Sequence, residues 1–353
     1  MLSPSLCVAL AVLAVANGAP PKASDVTKVA LNSGSSMPIV GLGTWQVADE
    51  REMEKALDAA LEAGYRHFDT ATVYFNEHLI GKVLKRWLSE GKLKREDLFI
   101  TTKLPVNGMR ASDVPYFLNQ SLAKLQLDYV DMYLIHAPFG VKRDAGHNGV
   151  HFDDNSVDPT TDHLAIWKAM VAEKEAGRAK ALGVSNFNET QIERIIKNSP
   201  VPPANLQVEL HLQHQQKPLV AFCKKNNIAV TAYSPIGSPG TQAVVDSRRV
   251  PPNLLNLPQV KAIAQKHNKT PAQVLLRHIT QKGIIVIPKS SNPKRISENI
   301  DIFDFTLDDE DVATLDAMDR GIDGQLFLLK NFIPGVEFHP EYPWEAFRIE
   351  PIA

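Results

Sequence analysis

Ile39-Val40-Gly41-Leu42-Gly43-Thr44-Trp45-Gln46 is the stretch on which the architecture turns. Its first five residues read as a short, doubly buried strand, and two closely spaced glycines stand at its end. A doubly wound open sheet would carry G-x-G-x-x-G here, the third glycine letting strand and helix pack closely. Thr44, Trp45 and Gln46 follow Gly43, so that third glycine is missing, and no better copy occurs elsewhere in the chain. The open-sheet reading fails.

Similar β-rich apolar runs recur outward from this stretch, at Arg66–Thr70, Leu98–Lys103, Tyr129–His136, Ala179–Ser185, Leu206–Leu210, Ala229–Tyr233 and Ile284–Lys289. Segments with helical apolar spacing lie between them. In Glu52–Glu62, for example, Met53, Ala56, Leu57, Ala60 and Leu61 share one face and Gly64 supplies the stop. Comparable patterns cover Leu79–Trp87, Val114–Leu125, Leu164–Glu175, Glu189–Lys197, Lys217–Lys225 and Pro271–Thr280. Strands and helices alternating at this rhythm predict a (β/α)₈ TIM barrel. A hairpin at Val29–Leu31, turning through Asn32-Ser33-Gly34, is expected to close its bottom. Pro138–Asp162, Pro235–Pro252 and the tail from Gly321 break the alternation, and the first two fall on the face where barrel active sites form.

The 353 residues carry 38 Lys and Arg against 40 Asp and Glu, a net charge of −2. That balance argues against nucleic acid or an anionic membrane as partner. Leu6–Ala16 is an unbroken apolar run ending in Asn17, Gly18, Ala19 and paired prolines, although no Lys or Arg precedes it. It reads as a secretory signal over residues 1–18, leaving one barrel domain over 19–353 as a secreted, monomeric protein. Cys7 would leave with the signal, so Cys223 would remain as a lone thiol. Asn119, Asn188 and Asn268 begin glycosylation triplets.

The strand ends carry the chemistry. In order they are Thr44-Trp45, Asp69, Lys103, His136, Ser185-Asn186, Gln207 with Glu209, Tyr233, and Lys289. Singly, each has an ordinary use: Asp69 as a helix cap, Lys103 as a solvated end, His136 as a core histidine. Jointly they converge on one mouth, with Tyr74 five residues beyond Asp69. A phenol of pKa ~10 becomes a usable acid beside Lys⁺. Asp69 would hold that lysine, and His136 would orient a substrate oxygen. No nucleophile with an adjacent base is evident, which argues against hydrolysis. No metal site is expected.

Gly41–Trp45, Gly64–Ala71 with Tyr74, Gly183-Val-Ser-Asn-Phe187, and Ile287-Pro-Lys-Ser290 with Arg295, Glu298 and Asn299 together resemble the aldo-keto reductase family across nearly the whole chain. The resemblance implies NADPH-dependent reduction of a small-molecule carbonyl, with Asp69, Tyr74, Lys103 and His136 as catalytic tetrad. It further implies that Ser185, Asn186 and Gln207 hold the nicotinamide carboxamide over Tyr233, with Thr44 also among the cofactor contacts. Ser234, Ile236 and Ser238 would line the pyrophosphate. Lys289, Ser290 and Arg295 would take the 2′-phosphate, and Glu298 and Asn299 the adenine. Histidine in the fourth tetrad position is similar to the family's carbonyl reducers, whereas its double-bond reducers carry glutamate.

This chain departs from the family at Ala137, where a bulky aromatic is common, and at Leu210-His211-Leu212 after Glu209. The loop with Ser247-Arg248-Arg249 carries no tryptophan. A wide pocket bounded by Trp45, Phe139 and tail aromatics is therefore expected, suited to a bulky apolar ketone or aldehyde. Together with the export segment, the pattern resembles insect reductases of 3-dehydroecdysteroids. The alternatives are a broad aldehyde reductase of the secretory pathway and a non-catalytic NADPH-binding protein; an intact tetrad argues against the latter.

Overall fold

The computed structural model describes residues 27–143, 156–240 and 253–344. Residues 1–18, read above as a secretory signal and including Cys7, and Ser247–Arg249 lie outside the described residues. Eight parallel strands form one sheet: β1 Leu42–Gly43, β2 His67–Asp69, β3 Phe99–Leu104, β4 Val130–Ile135, β5 Ala179–Ser185, β6 Asn205–Glu209, β7 Ala229–Tyr233 and β8 Ile285–Val286. They neighbour one another in chain order from β1 to β8. Parallel bridges Val40–Val286 and Gly43–Lys289 join the ends, so the predicted barrel closes. β8 is shorter than the run that announced it, because Pro288 has no N–H to give the ladder.

The seam explains the glycines of the opening stretch. The Gly41 amide donates to the Val286 carbonyl at 2.8 Å and the Gly43 amide to that of Pro288 at 3.2 Å. A Cβ on Gly43 would lie 2.7 Å from the Ile287 carbonyl oxygen, and one on Gly41 would lie 2.3 Å from Nδ1 of His67. Both positions demand a bare backbone for close approach. Lys28–Ala30 pairs antiparallel with Ser36–Pro38 as the expected hairpin, and Met37 at its end is fully buried.

Helices α1 Glu50–Glu62, α2 Glu77–Ser89, α3 Val114–Leu125, α4 His163–Glu175, α5 Glu189–Asn198, α6 Lys217–Lys225 and α8 Pro271–Thr280 follow the apolar periodicity closely. Three helices were not legible that way: α7 Pro258–Lys266, α9 Pro293–Ile300 and α10 Asp309–Asp316. The last two span only eight residues, about two turns, and bury only Ile296 with Asn299, and Asp311 with Leu315, which is a short stretch from which to recognise a helix. Their opening signals are plain in retrospect. Pro293 starts α9, and Asp308 with Asp311 forms a capping box for α10. No helix among the described residues is long and apolar enough to cross a membrane.

The core holds neutral histidines. Burial, set first against the Asp69 charge, pushes His67 down to about 4, and burial with the Lys282 charge does the same for His278. Unfolded imidazoles bind protons near 6.5, so between pH 6.5 and 4 the unfolded chain binds more of them and stability falls as pH falls. At pH 5 the expected loss is about 2 kcal/mol for each of the two; urea denaturation at pH 7.5 and pH 5 checks it. Gly43→Ala is expected to cost about 1–3 kcal/mol by overpacking the seam, read from the same denaturation at pH 7.5.

Candidate active site

The site begins with a charge carried inside. Lys103, on β3, is 1% exposed, and its ammonium meets three acceptors: Oδ1 of Asp69 at 2.5 Å, the Thr70 carbonyl at 2.9 Å and the Tyr74 hydroxyl at 3.2 Å. An ammonium has three N–H groups, so all are used. The Tyr74 oxygen therefore accepts from Lys103, and its own O–H is left to point into the cavity. Tyr74 sits on the short turn Thr72–Tyr74 after β2, with the His136 ring edge-on at 5.7 Å. The second Asp69 oxygen accepts from Nε2 of Gln207 at 2.7 Å. The four expected tetrad residues thus converge.

Their electrostatics differ from the expectation in one respect. Burial pushes the Tyr74 phenol up, Lys103 pulls it down, and Asp69 pushes it up again, so the net direction is upward. Loss of solvent around the phenol is the largest of these and outweighs the lysine's pull. Tyr74 therefore stays protonated at neutral pH. For Lys103, burial works downward, but Asp69 and Tyr74 outweigh it and the ammonium is held above its usual range. Burial and the nearby Lys103 push His136 well below the ordinary imidazole range. It is neutral, able to hydrogen-bond a substrate oxygen without competing as a cationic acid.

Beside the tetrad, Asn186 holds a left-handed backbone (φ 62°) and donates its amide to the His136 carbonyl at 2.9 Å and to Ser185 Oγ at 3.1 Å. Its oxygen accepts from the Tyr233 hydroxyl at 3.0 Å, which fixes the Tyr233 ring. Thr44, Ser185, Asn186, Gln207, Tyr233, Ser234, Ile236 and Ser238 all border one cavity of about 760 Å³, as do Lys289, Ser290, Arg295, Glu298 and Asn299. Lys289 and Arg295 are exposed, Ser290 is buried, and Arg295 lies in the first turn of α9. Among the described residues neither cation is paired with a carboxylate. Two unspent cations and a hydroxyl at a helix start fit the phosphate monoester that distinguishes NADPH.

The other end of the cavity is apolar, bordered by Trp45, Val73, Val106, Ala137, Phe327, Leu329, Phe332 and Ile333. Trp45 meets Phe327 at 5.8 Å and Phe332 at 6.3 Å. Phe139, expected as a wall, borders the cavity but is fully buried, stacked on Tyr342 at 6.3 Å. It is part of the wall, with Tyr342 packed against it. Of the tail aromatics, Phe338 points to solvent at 43% exposure and takes no part.

Sequence reasoning missed Asn76. Fully buried behind Tyr74, it donates to the carbonyls of Thr44 at 2.8 Å and Val47 at 3.1 Å and accepts from Thr70 at 3.1 Å. It ties the Trp45 loop to the turn carrying Tyr74, a link between segments distant in the chain that local pattern does not reveal. Lys103→Met strands the buried Asp69 carboxylate and is expected to cost about 3–5 kcal/mol. In the double variant with Asp69→Asn most of that loss should return, read from guanidinium denaturation of both.

Residues 39–320 match the Aldo/keto reductase family. Aldo-keto reductase family 1 member A1 of Bos taurus is 40% identical over 320 residues, spanning 90% of this chain and 97% of that protein. Aldo-keto reductase family 1 member C1 of Macaca fuscata fuscata is 43% identical over 302 residues, 83% of this chain and 92% of its own length. Among solved structures, the aldose reductase from Schistosoma japonicum superposes with a TM-score of 0.80 at 38% identity, covering 91% of this chain and 99% of that one. The Bombyx mori aldo-keto reductase in complex with NADP superposes at 0.79 and 38% identity, covering 90% and 99%. The chain belongs to the aldo-keto reductase family and is an NADPH-dependent carbonyl oxidoreductase.

Proposed function

We propose that this protein reduces a bulky, uncharged ketone of steroid size, such as a 3-dehydroecdysteroid, with Tyr74 as the proton donor. The observation that carries the reading is the Tyr74 hydroxyl: its oxygen accepts from a lysine whose other donors are taken, and it faces a cavity whose far end is apolar. NADPH supplies the hydride when bound. Lys289, Ser290 and Arg295 hold the 2′-phosphate, Glu298 and Asn299 the adenine, and Tyr233 with Ser185, Asn186, Gln207 and Thr44 the nicotinamide end. Ser234, Ile236 and Ser238 border the path between.

The chain's own part is acid catalysis. Neutral His136 orients the carbonyl oxygen, and Tyr74 gives it a proton as negative charge develops there. Lys103 then stabilises the phenolate left behind, at the moment when its attraction is worth most. The substrate end carries no Lys or Arg among its described bordering residues, so a carboxylate or phosphate on the substrate would find no partner. Ala137 leaves room where a bulkier side chain would narrow the mouth.

A second reading, a broad aldehyde reductase of the secretory pathway, is favoured by the likeness to the Schistosoma japonicum aldose reductase. Rates on a 3-oxo-ecdysteroid, an aromatic aldehyde and a short sugar separate the two. Turnover confined to the small aldehydes and sugars sinks the first reading. Tyr74→Phe is expected to lower turnover on any accepted substrate by about 10³-fold or more with NADPH affinity preserved; unchanged turnover overturns the acid role. Arg295→Ala should weaken NADPH and leave NADH affinity nearly unchanged, measured by cofactor fluorescence titration.

The protein is, on this reading, secreted, supported by the apolar run Leu6–Ala16 and the small residues after it. Asn119 and Asn268 are exposed, whereas the Asn188 amide caps α5 and donates to the Pro343 carbonyl at 3.2 Å. Glycans would therefore be carried at Asn119 and Asn268 and not at Asn188. N-terminal sequencing and glycopeptide mapping of the natural protein test this, and an intact Met1 overturns it.

A further inference from the structure

Glu209 ends β6 and is 1% exposed, yet no lysine or arginine pairs with it among the described residues. Its carboxylate is met by three N–H donors instead. Oε1 accepts from the Leu326 amide at 2.7 Å, and Oε2 accepts from the Phe327 amide at 2.9 Å. The third donor is His211, 3.0 Å from Oε1. Nδ1 of His211 accepts from the Gln213 amide at 3.3 Å, so the ring proton sits on Nε2 and points at the carboxylate.

Two successive peptide N–H groups of an irregular segment aimed at one carboxylate constrain the backbone between them. That backbone carries Phe327, whose ring stands edge-on to Trp45 at 5.8 Å and to Tyr233 at 6.0 Å. Phe327 is thus the point where the substrate wall meets the ring proposed to support the nicotinamide. The tail has other attachments on both sides. The Arg320 amide donates to the Gln213 carbonyl at 2.9 Å, and Glu341 takes Arg194 at 2.6 Å and Gln191 at 3.0 Å. Loss of Glu209 would leave the tail attached at both ends and free its middle.

We propose that Glu209 is a positioning residue that sets the Phe327 wall and thereby selects bulky carbonyl substrates; the substrate half of this rests on the function proposed above. It touches neither substrate nor the reacting atoms. A purely structural role would lower activity on all substrates alike. A wall-setting role separates large substrates from small ones.

Glu209→Gln in the full-length chain keeps the side-chain size but turns an amide N–H toward a peptide N–H. The expected result is a KM for a 3-oxosteroid raised about tenfold, the loss of one charge-assisted hydrogen bond. Its kcat, and the KM for benzaldehyde, should stay within about twofold. Hydrogen exchange at the Leu326 and Phe327 amides, followed by mass spectrometry, should quicken at least about tenfold. Phe327→Ala is expected to raise the same steroid KM with those amides still protected, and it serves if Glu209→Gln does not fold. Equal losses on both substrates, or a steroid KM unmoved by Phe327→Ala, overturn the proposal. Unchanged exchange counts against Glu209 as the anchor, whereas a wild-type chain inert on the steroid counts against the substrate reading.

Discussion

Lys103 brings a full positive charge to a position with almost no solvent, and the middle of the molecule is organised around satisfying it. Each of its three protons has an acceptor from the end of β2 or the turn that follows it: the Asp69 carboxylate, the Thr70 carbonyl and the Tyr74 hydroxyl. Because the phenol oxygen is used as acceptor, its own proton faces the cavity. The ion pair that stabilises the buried lysine therefore also aims the acid. Burial tempers that acid as well: loss of solvent, with a smaller contribution from Asp69, outweighs the pull of Lys103, and Tyr74 keeps its proton at neutral pH.

A second constraint acts at the barrel seam. Closing eight strands requires β1 to approach the segment around β8, and Gly41 and Gly43 permit it by presenting no side chain. The same contact places Thr44 and Trp45 at the mouth and Lys289 across from them. Closure and site assembly are one event here. Asn76 reinforces it from behind, tying the loop after β1 to the turn that carries Tyr74.

The C-terminal tail completes the substrate end with residues far from the barrel in sequence. Its aromatic content marked it as a segment that would dock, and it does. Which aromatics face inward was not legible: Phe338 turned out to face solvent, while Phe139 borders the cavity as a fully buried ring packed on Tyr342. Glu209 shows the same gap. Read along β6 it was one more polar group at the mouth, and its partners proved to include two peptide amides more than a hundred residues away.

By itself the sequence determined the local and repetitive features: the alternation of buried strands and amphipathic helices, the missing third glycine that excludes an open dinucleotide-binding sheet, and polar strand ends that a barrel must bring to one mouth. These are legible because periodicity and turn chemistry act over a few residues. Helices α9 and α10 escaped because eight residues make only about two turns, with two buried positions each. Only the tertiary structure decided the seam contact that requires Gly41 and Gly43, the clamp by Asn76, the upward direction of the Tyr74 phenol and the docking of the tail on Glu209. Each of these depends on distances between segments far apart in the chain, and burial, close approach and electrostatic compensation are properties of those distances rather than of any residue's neighbours in sequence.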